Sequence, residues 1–332
     1  MPVTLRDIAR RANVSHATVS VVLNQRTSPI ISEKTRQKVL KVADELGYQP
    51  NHLARALATG RSYIVALWVV DPYSPYASRS CALLQDLVRA EAYDLMLVEA
   101  APPLERSQSQ PPRSHWPVDG IIALDCPWRV ASQMTAIHKP KAPIVSIGRV
   151  YSTATDFVGI DVAAGISDAI AHLVQLGRTR IAFLSGSDRA DEMSPLLDAY
   201  TAALGAAGLI TNVIEADSLT RSAGYAATAE RVAGYLPFDA LVTYNDLLGA
   251  GALKALRDAG ISVPEQVAVV ACSSTEELEY QAPPLTVIEH PLREMCSLGW
   301  QYLQRRLAAP DLPPQRAVLK PELVIRGSSV MS

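Results

Sequence analysis

The sequence predicts a small all-α head followed by an α/β core of two doubly wound parallel-sheet subdomains. Three observations predict it. Charge is split along the chain: residues 1–62 hold ten Lys/Arg against four Asp/Glu, and the remainder carries a formal excess of eight negative charges. The first fifty residues show apolar stripes of helical period, separated by capping and turn residues. From residue 63 onward, short Val/Ile/Leu-rich runs alternate with helical patterns, the mark of parallel sheets. A basic head on an acidic body points to a polyanion partner for the head alone.

In the head, Leu5, Ile8, Ala9 and Ala12 recur at i, i+3, i+4 and i+7, a short amphipathic helix with Thr4 as N-cap. Asn13-Val14-Ser15 breaks the stripe; Asn13 suits a left-handed turn position and Ser15 caps the next helix. That helix, SHATVSVVLN (15–24), places Val19, Val22 and Leu23 on one side with Thr18 at its edge. His16, Ala17, Ser20, Val21 and Asn24 fall on the other, leaving an exposed valine in the middle of a polar face. Two helices joined by so short a turn match a helix-turn-helix, whose second helix enters the DNA major groove by its N-terminal residues. A third helix starts at Ser32 as cap, with Val39, Leu40, Val42, Ala43 and Leu46 inward and Gly47 as its stop.

Next, Pro50 suits a helix start and Gly60 a stop, with Leu53 and Leu57 at i, i+4 and Arg55 between them. A helix this short is marginal in water by itself. Its leucines serve either plain packing or a wedge between base steps of the minor groove.

The body reads as strands at YIVALWVV, YDLMLVE, VDGIIAL, PIVSIG, DFVGID, RIAFLSG, NVIEA, DALVTYN and VAVVAC. Helical segments between them include ASRSCALLQDLVRAEA, GISDAIAHLVQLG, LLDAYTAALGAAG and LLGAGALKALRDAG. Two such repeats make two similar subdomains, with a ligand cleft at the carboxyl ends of the strands. APPLERSQSQPPRSHWPVD (101–119), rich in Pro, Ser and Gln, reads as a surface loop.

VTLRDIARRANVSHATVSVVLN, followed by SEKTRQKVLKVADELGYQPNHLARALATGRS, resembles the DNA-binding head and hinge of the lactose-repressor (LacI/GalR) family of bacterial transcription regulators. The resemblance implies a DNA-binding domain over 1–49 and a hinge helix over 50–60. It places His16, Ala17 and Val21 at base-reading positions. Thr4, Leu5, Arg6, Ser15, Thr18, Ser20, Asn24, Ser32 and Thr35 are then at or near the DNA backbone, and Asn51, Ala54 and Leu57 belong to the hinge. Leu57 matches the leucine that opens a central base step between the hinge helices of a dimer. One departure stands out: the family pattern usually reads TVSRVLN, and here Val21 replaces the arginine. Arginine reads guanine by a bidentate contact, whereas valine offers only methyl groups.

The core resembles the same family's effector-binding core, which is similar to periplasmic sugar-binding proteins. The phrases are IAHLVQLGRTRIAFLSG, YNDLLGAGALKALRDAGISVPEQVAVVA, APPLTVIEH and LKPELVIRGSS. The resemblance implies an effector-binding and dimerisation core over 61–332, with one subdomain of about 61–159 and 290–318 and another of about 160–289 and 319–332. Candidate effector contacts are Tyr76, Asp161, Leu196, Asn245, Asp246 and Ser273. At two of them the charged group of the family is missing: Leu196 stands at an arginine position and Ser273 at a carboxylate position. Losing both strips a site of its strongest charge-assisted contacts. Either the effector is less polar than a monosaccharide, or small-molecule control has been lost.

Other classes find little support. MPVTLRDIARR lacks the apolar stretch of a secretory signal, and no run reaches a membrane span, so a cytoplasmic, nucleoid-associated protein is expected. Cys81, Cys126, Cys272 and Cys296 are widely spaced, which suits reduced thiols better than a metal site. GAGAL (249–253) supplies only a GxG fragment without a third glycine or a phosphate-loop lysine, and no histidine has zinc spacing, so neither enzyme nor cofactor is expected. The expected protein is a dimeric repressor (a tetramer remains open) of a near-palindromic, double-stranded operator. The competing class is a solute-binding module without DNA function.

Overall fold

The computed structural model describes residues 3–23, 31–48, 56, 60–100, 117–138, 142–149, 154–186, 195–272 and 275–330. The expected positions Asn24, Asn51, Ala54, Leu57 and Ser273, and most of the Pro/Ser/Gln-rich segment, lie outside the described residues. The chain divides into two compact units, Met1–Ser62 and Tyr63–Ser332.

The first unit holds α1 (Leu5–Ala12), α2 (His16–Leu23) and α3 (Glu33–Glu45). Ile8, Ala12, Val19, Val22 and Val39 are essentially fully buried and close one small core, with Leu5, Leu23 and Leu46 packed at its edge. Asn13 ends α1 at φ 51°, ψ 52°, the left-handed conformation its short polar side chain tolerates. Leu40 departs from expectation: it is 43% exposed. Val39, Val42, Ala43 and Leu46 already form the i, i+3, i+4, i+7 stripe, and Leu40 lies about 100° around the helix from Val39. Gly47 follows α3 at φ +61°, and its N–H donates to the Asp44 carbonyl at 2.9 Å. Of the segment 50–60, Gly60 has φ +70° and donates to the Ala56 carbonyl at 2.8 Å.

The second unit carries two six-stranded sheets. The strands of the first are β1 (Ile64–Val69), β2 (Asp94–Glu99), β3 (Gly120–Leu124), β4 (Ile144–Ile147), β5 (Asp156–Ile160) and β11 (Arg316–Leu319), ordered β11-β5-β4-β3-β1-β2 and all parallel. The second has β6 (Ile181–Gly186), β7 (Val213–Ala216), β8 (Ala240–Thr243), β9 (Ala268–Cys272), β10 (Thr286–Glu289) and β12 (Glu322–Val324). Its order is β12-β10-β9-β8-β6-β7, with only β12 antiparallel. The two orders repeat one pattern, so each sheet has a topological switch point, between β1 and β3 and between β6 and β8. Strands β3 and β9 are buried at every residue because helices cover both faces, which is why they read as unbroken apolar runs.

The helices are α4 (Pro75–Ala90), α5 (Trp128–His138), α6 (Val162–Gln175), α7 (Pro195–Ala206), α8 (Arg221–Val232), α9 (Asp246–Asp258) and α10 (Leu292–Ala308). The chain passes between the sheets after β5, after β10 and between β11 and β12. Alternate strand residues serve opposite faces: Val65, Leu67 and Val69 pack with Trp300 and Leu303, while Ala66 and Trp68 pack with Ile121 and Val130. Asp156, 2% exposed, anchors α10: Arg306 donates from Nε to Oδ2 at 3.0 Å and from Nη2 to Oδ1 at 2.8 Å, and the Gln315 N–H donates to Oδ1 at 2.7 Å. Burial pushes its pKa up, but these bonds outweigh that and hold it below the usual carboxylate range. The C-terminal segment is fastened by hydroxyls. Ser328 Oγ donates to the Val269 carbonyl at 2.6 Å and accepts from the Thr286 N–H at 2.8 Å, and Ser329 Oγ lies 2.9 Å from His172 Nε2.

Candidate nucleic-acid interface and ligand cleft

In the head, three of the expected backbone-contacting residues, Thr4, Ser15 and Ser32, cap helix starts. Thr4 and Asp7 form a capping box at the start of α1: the Asp7 N–H donates to Thr4 Oγ1 at 3.4 Å and the Thr4 N–H to Asp7 Oδ2 at 3.0 Å. The Thr4 hydroxyl bond, then its backbone N–H, holds the Asp7 carboxyl below its ordinary pKa. At α2, Ser15 Oγ accepts from the Thr18 N–H at 3.1 Å, and the two hydroxyls lie 2.8 Å apart. Ser32 and Thr35 repeat that arrangement at α3, at 3.2 and 2.9 Å. The starts of α2 and α3 thus bring hydroxyls and backbone N–H groups together where the helix dipole is positive, a combination suited to phosphate oxygens, whereas at α1 the Thr4 hydroxyl and N–H donate to the Asp7 carboxylate.

On α2, Val19 and Val22 are buried at 0% and 1% exposure, while His16 and Ala17 are exposed and Ser20 partly so. Val21 is half-buried, not fully exposed as its place on the polar face suggested. One helical step of about 100° from Val22 leaves it at the border of the packed face, with part of its surface turned outward. Leu5 is part-buried and Arg6 exposed in the first turn of α1.

In the core, several of the expected ligand residues also make structural contacts. Asn245 caps α9: its Oδ1 accepts from the Leu248 N–H at 2.8 Å and its Nδ2 donates to the Leu219 carbonyl at 3.2 Å. Asp161, exposed, caps α6 through the Ala164 N–H at 2.9 Å. Asp246 is 5% exposed; burial raises its pKa against the pull of Thr275 and Leu247. Leu196 packs against the apolar cluster of Ile166, Phe183 and Tyr200. Tyr76 differs, because it belongs to a group that sequence reading missed.

Apart from Tyr76, in the first turn of α4, that group stands at strand carboxyl ends. Asp125 follows β3 at φ +46° and Arg149 follows β4. Tyr244 follows β8, and His290 follows β10. A Cβ at Gly148 (φ +89°) would overlap the Asp125 carboxylate, so glycine is what lets Asp125 lie there. The Tyr76 phenol hydrogen-bonds to Asp125, and its pKa is raised well above normal by burial and then by that carboxylate. His290 meets the Tyr76 ring edge-on at 6.2 Å, and burial holds its pKa down at about 4. A carboxylate at 125 and a guanidinium at 149 thus both stand beyond strand carboxyl ends of the first sheet. A separate groove of about 630 Å³, lined by residues including Arg79, Leu83, His290, Arg293 and Lys320, contains none of the six expected contacts.

Residues 4–51 match the family of bacterial regulatory proteins of the lacI type, and residues 170–329 match the periplasmic binding protein-like domain. The chain belongs to the LacI family. It is 28% identical to the ribose operon repressor of Escherichia coli (strain K12), over 98% of this chain and 99% of that one. A crystal structure of the lac repressor dimer bound to operator and the anti-inducer ONPF matches 99% of this chain and 100% of its own, with a TM-score of 0.81 at 24% identity, a likeness of fold. The CelR–cellobiose complex matches 98% and 100%, with a TM-score of 0.68 and 27% identity. This LacI-family chain is thus a DNA-binding transcription regulator, and its relatives are regulators rather than enzymes. Among the described residues no helix is long and apolar enough to cross a membrane, and no cluster of His, Cys, Asp and Glu could hold a metal.

Proposed function

We propose that this LacI-family regulator is a ligand-responsive repressor that binds a near-palindromic operator as a homodimer in the bacterial cytoplasm. Two α2 helices read the half-sites through His16, Ala17 and Val21, and the capped starts of α1, α2 and α3 hold phosphates through Thr4, Ser15, Thr18, Ser32 and Thr35. The single observation that carries this is α2 itself. Its buried Val19/Val22 face fixes the helix, and its outer face pairs exposed His16 and Ala17 with a doubly hydroxylated N-terminus. Asn51, Ala54 and Leu57 of the hinge enter the minor groove at the operator centre.

The effector is a small molecule bound at the strand ends, where Asp125 and Arg149 supply its polar contacts. Relatives lend support: they include a ribose operon repressor and a CelR–cellobiose complex. A gel shift on an in vitro-selected operator tests the DNA reading with Leu57→Ala. Specific binding should weaken much more than nonspecific binding; equal weakening of both refutes the wedge.

A further inference from the structure

The bond between Arg149 and Tyr244 has a place in the fold that neither residue type suggests by itself. Arg149 stands at the carboxyl end of β4 in the first sheet and Tyr244 at the carboxyl end of β8 in the second. Arg149 Nη2 donates to the Tyr244 hydroxyl at 2.5 Å, and both side chains are half-buried. The pair therefore joins the two halves of the core across the cleft, 95 residues apart in sequence.

Both ends are held firmly. On the first half, Gly148 at φ +89° turns the chain out of β4, and the Asp125 carboxylate fills the space where a side chain would be. The Arg149 charge also reaches Cys126, where it opposes the burial that pushes that thiol up to about 12. On the second half, Tyr244 is followed by Asn245, which is pinned to the Leu248 N–H and the Leu219 carbonyl, and the Tyr244 N–H donates to the Leu184 carbonyl at 2.9 Å. Two halves linked by three chain crossovers have rotation as their available motion. A charge-assisted bond between fixed points on both halves restrains it, and a ligand entering between the sheets must displace that bond or bind around it.

We propose that Arg149 and Tyr244 form a clasp that holds the unliganded core in the arrangement that supports operator binding. This rests on the repressor reading above and adds how the empty cleft is held. The test is a double-mutant cycle of Tyr244→Phe, which keeps the ring, and Arg149→Met, which keeps the stem. It has two readouts in the full chain. Distances between halves are measured by spin labels at Gln133→Cys and Thr201→Cys in a Cys81→Ser background. Operator and random-sequence DNA affinities are measured in parallel. Both single variants should broaden the distance distribution to the same extent, with no further change in the double variant. Operator affinity should fall about five- to tenfold in each, and equally in the double, with random-sequence affinity unchanged. An unchanged distance distribution in Tyr244→Phe overturns the clasp, as does an operator affinity that stays level or rises, or effects that multiply in the double. A parent chain that does not prefer the selected operator would sink the repressor reading, while the distance measurement would still decide the clasp.

Discussion

Replacing Ser15 by aspartate separates the two roles of the α2 cap. Ser15 Oγ accepts from the Thr18 N–H at 3.1 Å and lies exposed at the helix start. Aspartate caps a helix about as well as serine, so Ser15→Asp should leave the head's stability within about 0.5 kcal/mol. It also puts a carboxylate where a DNA phosphate is expected. Two like charges about 4 Å apart repel by about 1 kcal/mol in water and about 4 kcal/mol at an effective dielectric near 20. Because Ser15 is exposed, the lower part of that range applies, about 1–2 kcal/mol, or about 5- to 30-fold in affinity. Fluorescence anisotropy against operator and random DNA reads the effect over a salt series. Both affinities should fall by similar factors, and the salt slope should drop by about 0.9 for one lost phosphate contact. Ser15→Asp binding both DNAs like the parent, in a chain that melts normally, would refute the phosphate assignment.

Further predictions concern the core. Arg306→Met leaves the Asp156 carboxylate buried without its bidentate partner and should destabilise the core by about 3–5 kcal/mol in urea unfolding; a loss below about 1 kcal/mol contradicts that role. His290 and His172 are held neutral in the fold below their ordinary pKa of 6.5, His290 at about 4, so the unfolded chain binds protons first. Stability is therefore full above pH 6.5 and falls as pH drops toward 4, by up to about 3 kcal/mol for His290; a flat profile over that window counts against its burial. Burial pushes Cys126, Cys272 and Cys296 up to about 12, whereas Cys81 is half-exposed. Maleimide should label Cys81 alone in the folded chain at neutral pH, and rapid labelling of any other thiol would be the contrary result.

What the sequence discloses follows the range of the interaction involved. Thr4, Ser15, Ser32 and Asn13 were legible because a cap or a left-handed turn acts within three or four residues. Buried strands such as GIIAL and AVVAC announce themselves by unbroken apolar runs. Strands β11 and β12, of four and three residues, are too short for any period and exist through pairing with β5 and β10. Leu40 was misplaced because apolarity alone does not say which of two adjacent positions a packed face takes. In the cleft, similarity drew attention to Asn245, Asp246 and Leu196, of which Asn245 also caps α9 and Leu196 packs against the second sheet's core. Asp125, Arg149 and Tyr244 gain meaning only when distant strand ends meet. Their one sequence signal is position: each lies within two residues of a strand's carboxyl end.

The most direct test of DNA reading is selection of operators from random DNA by the parent chain and by Val21→Arg. The parent should enrich a near-palindrome whose half-sites show no guanine preference at the step facing residue 21. Val21→Arg should enrich guanine at that step in both half-sites and leave the other positions unchanged, since a bidentate arginine–guanine pair contributes about 1–3 kcal/mol of discrimination. If both chains enrich the same sequence, or the parent enriches none, α2 does not read DNA through this face.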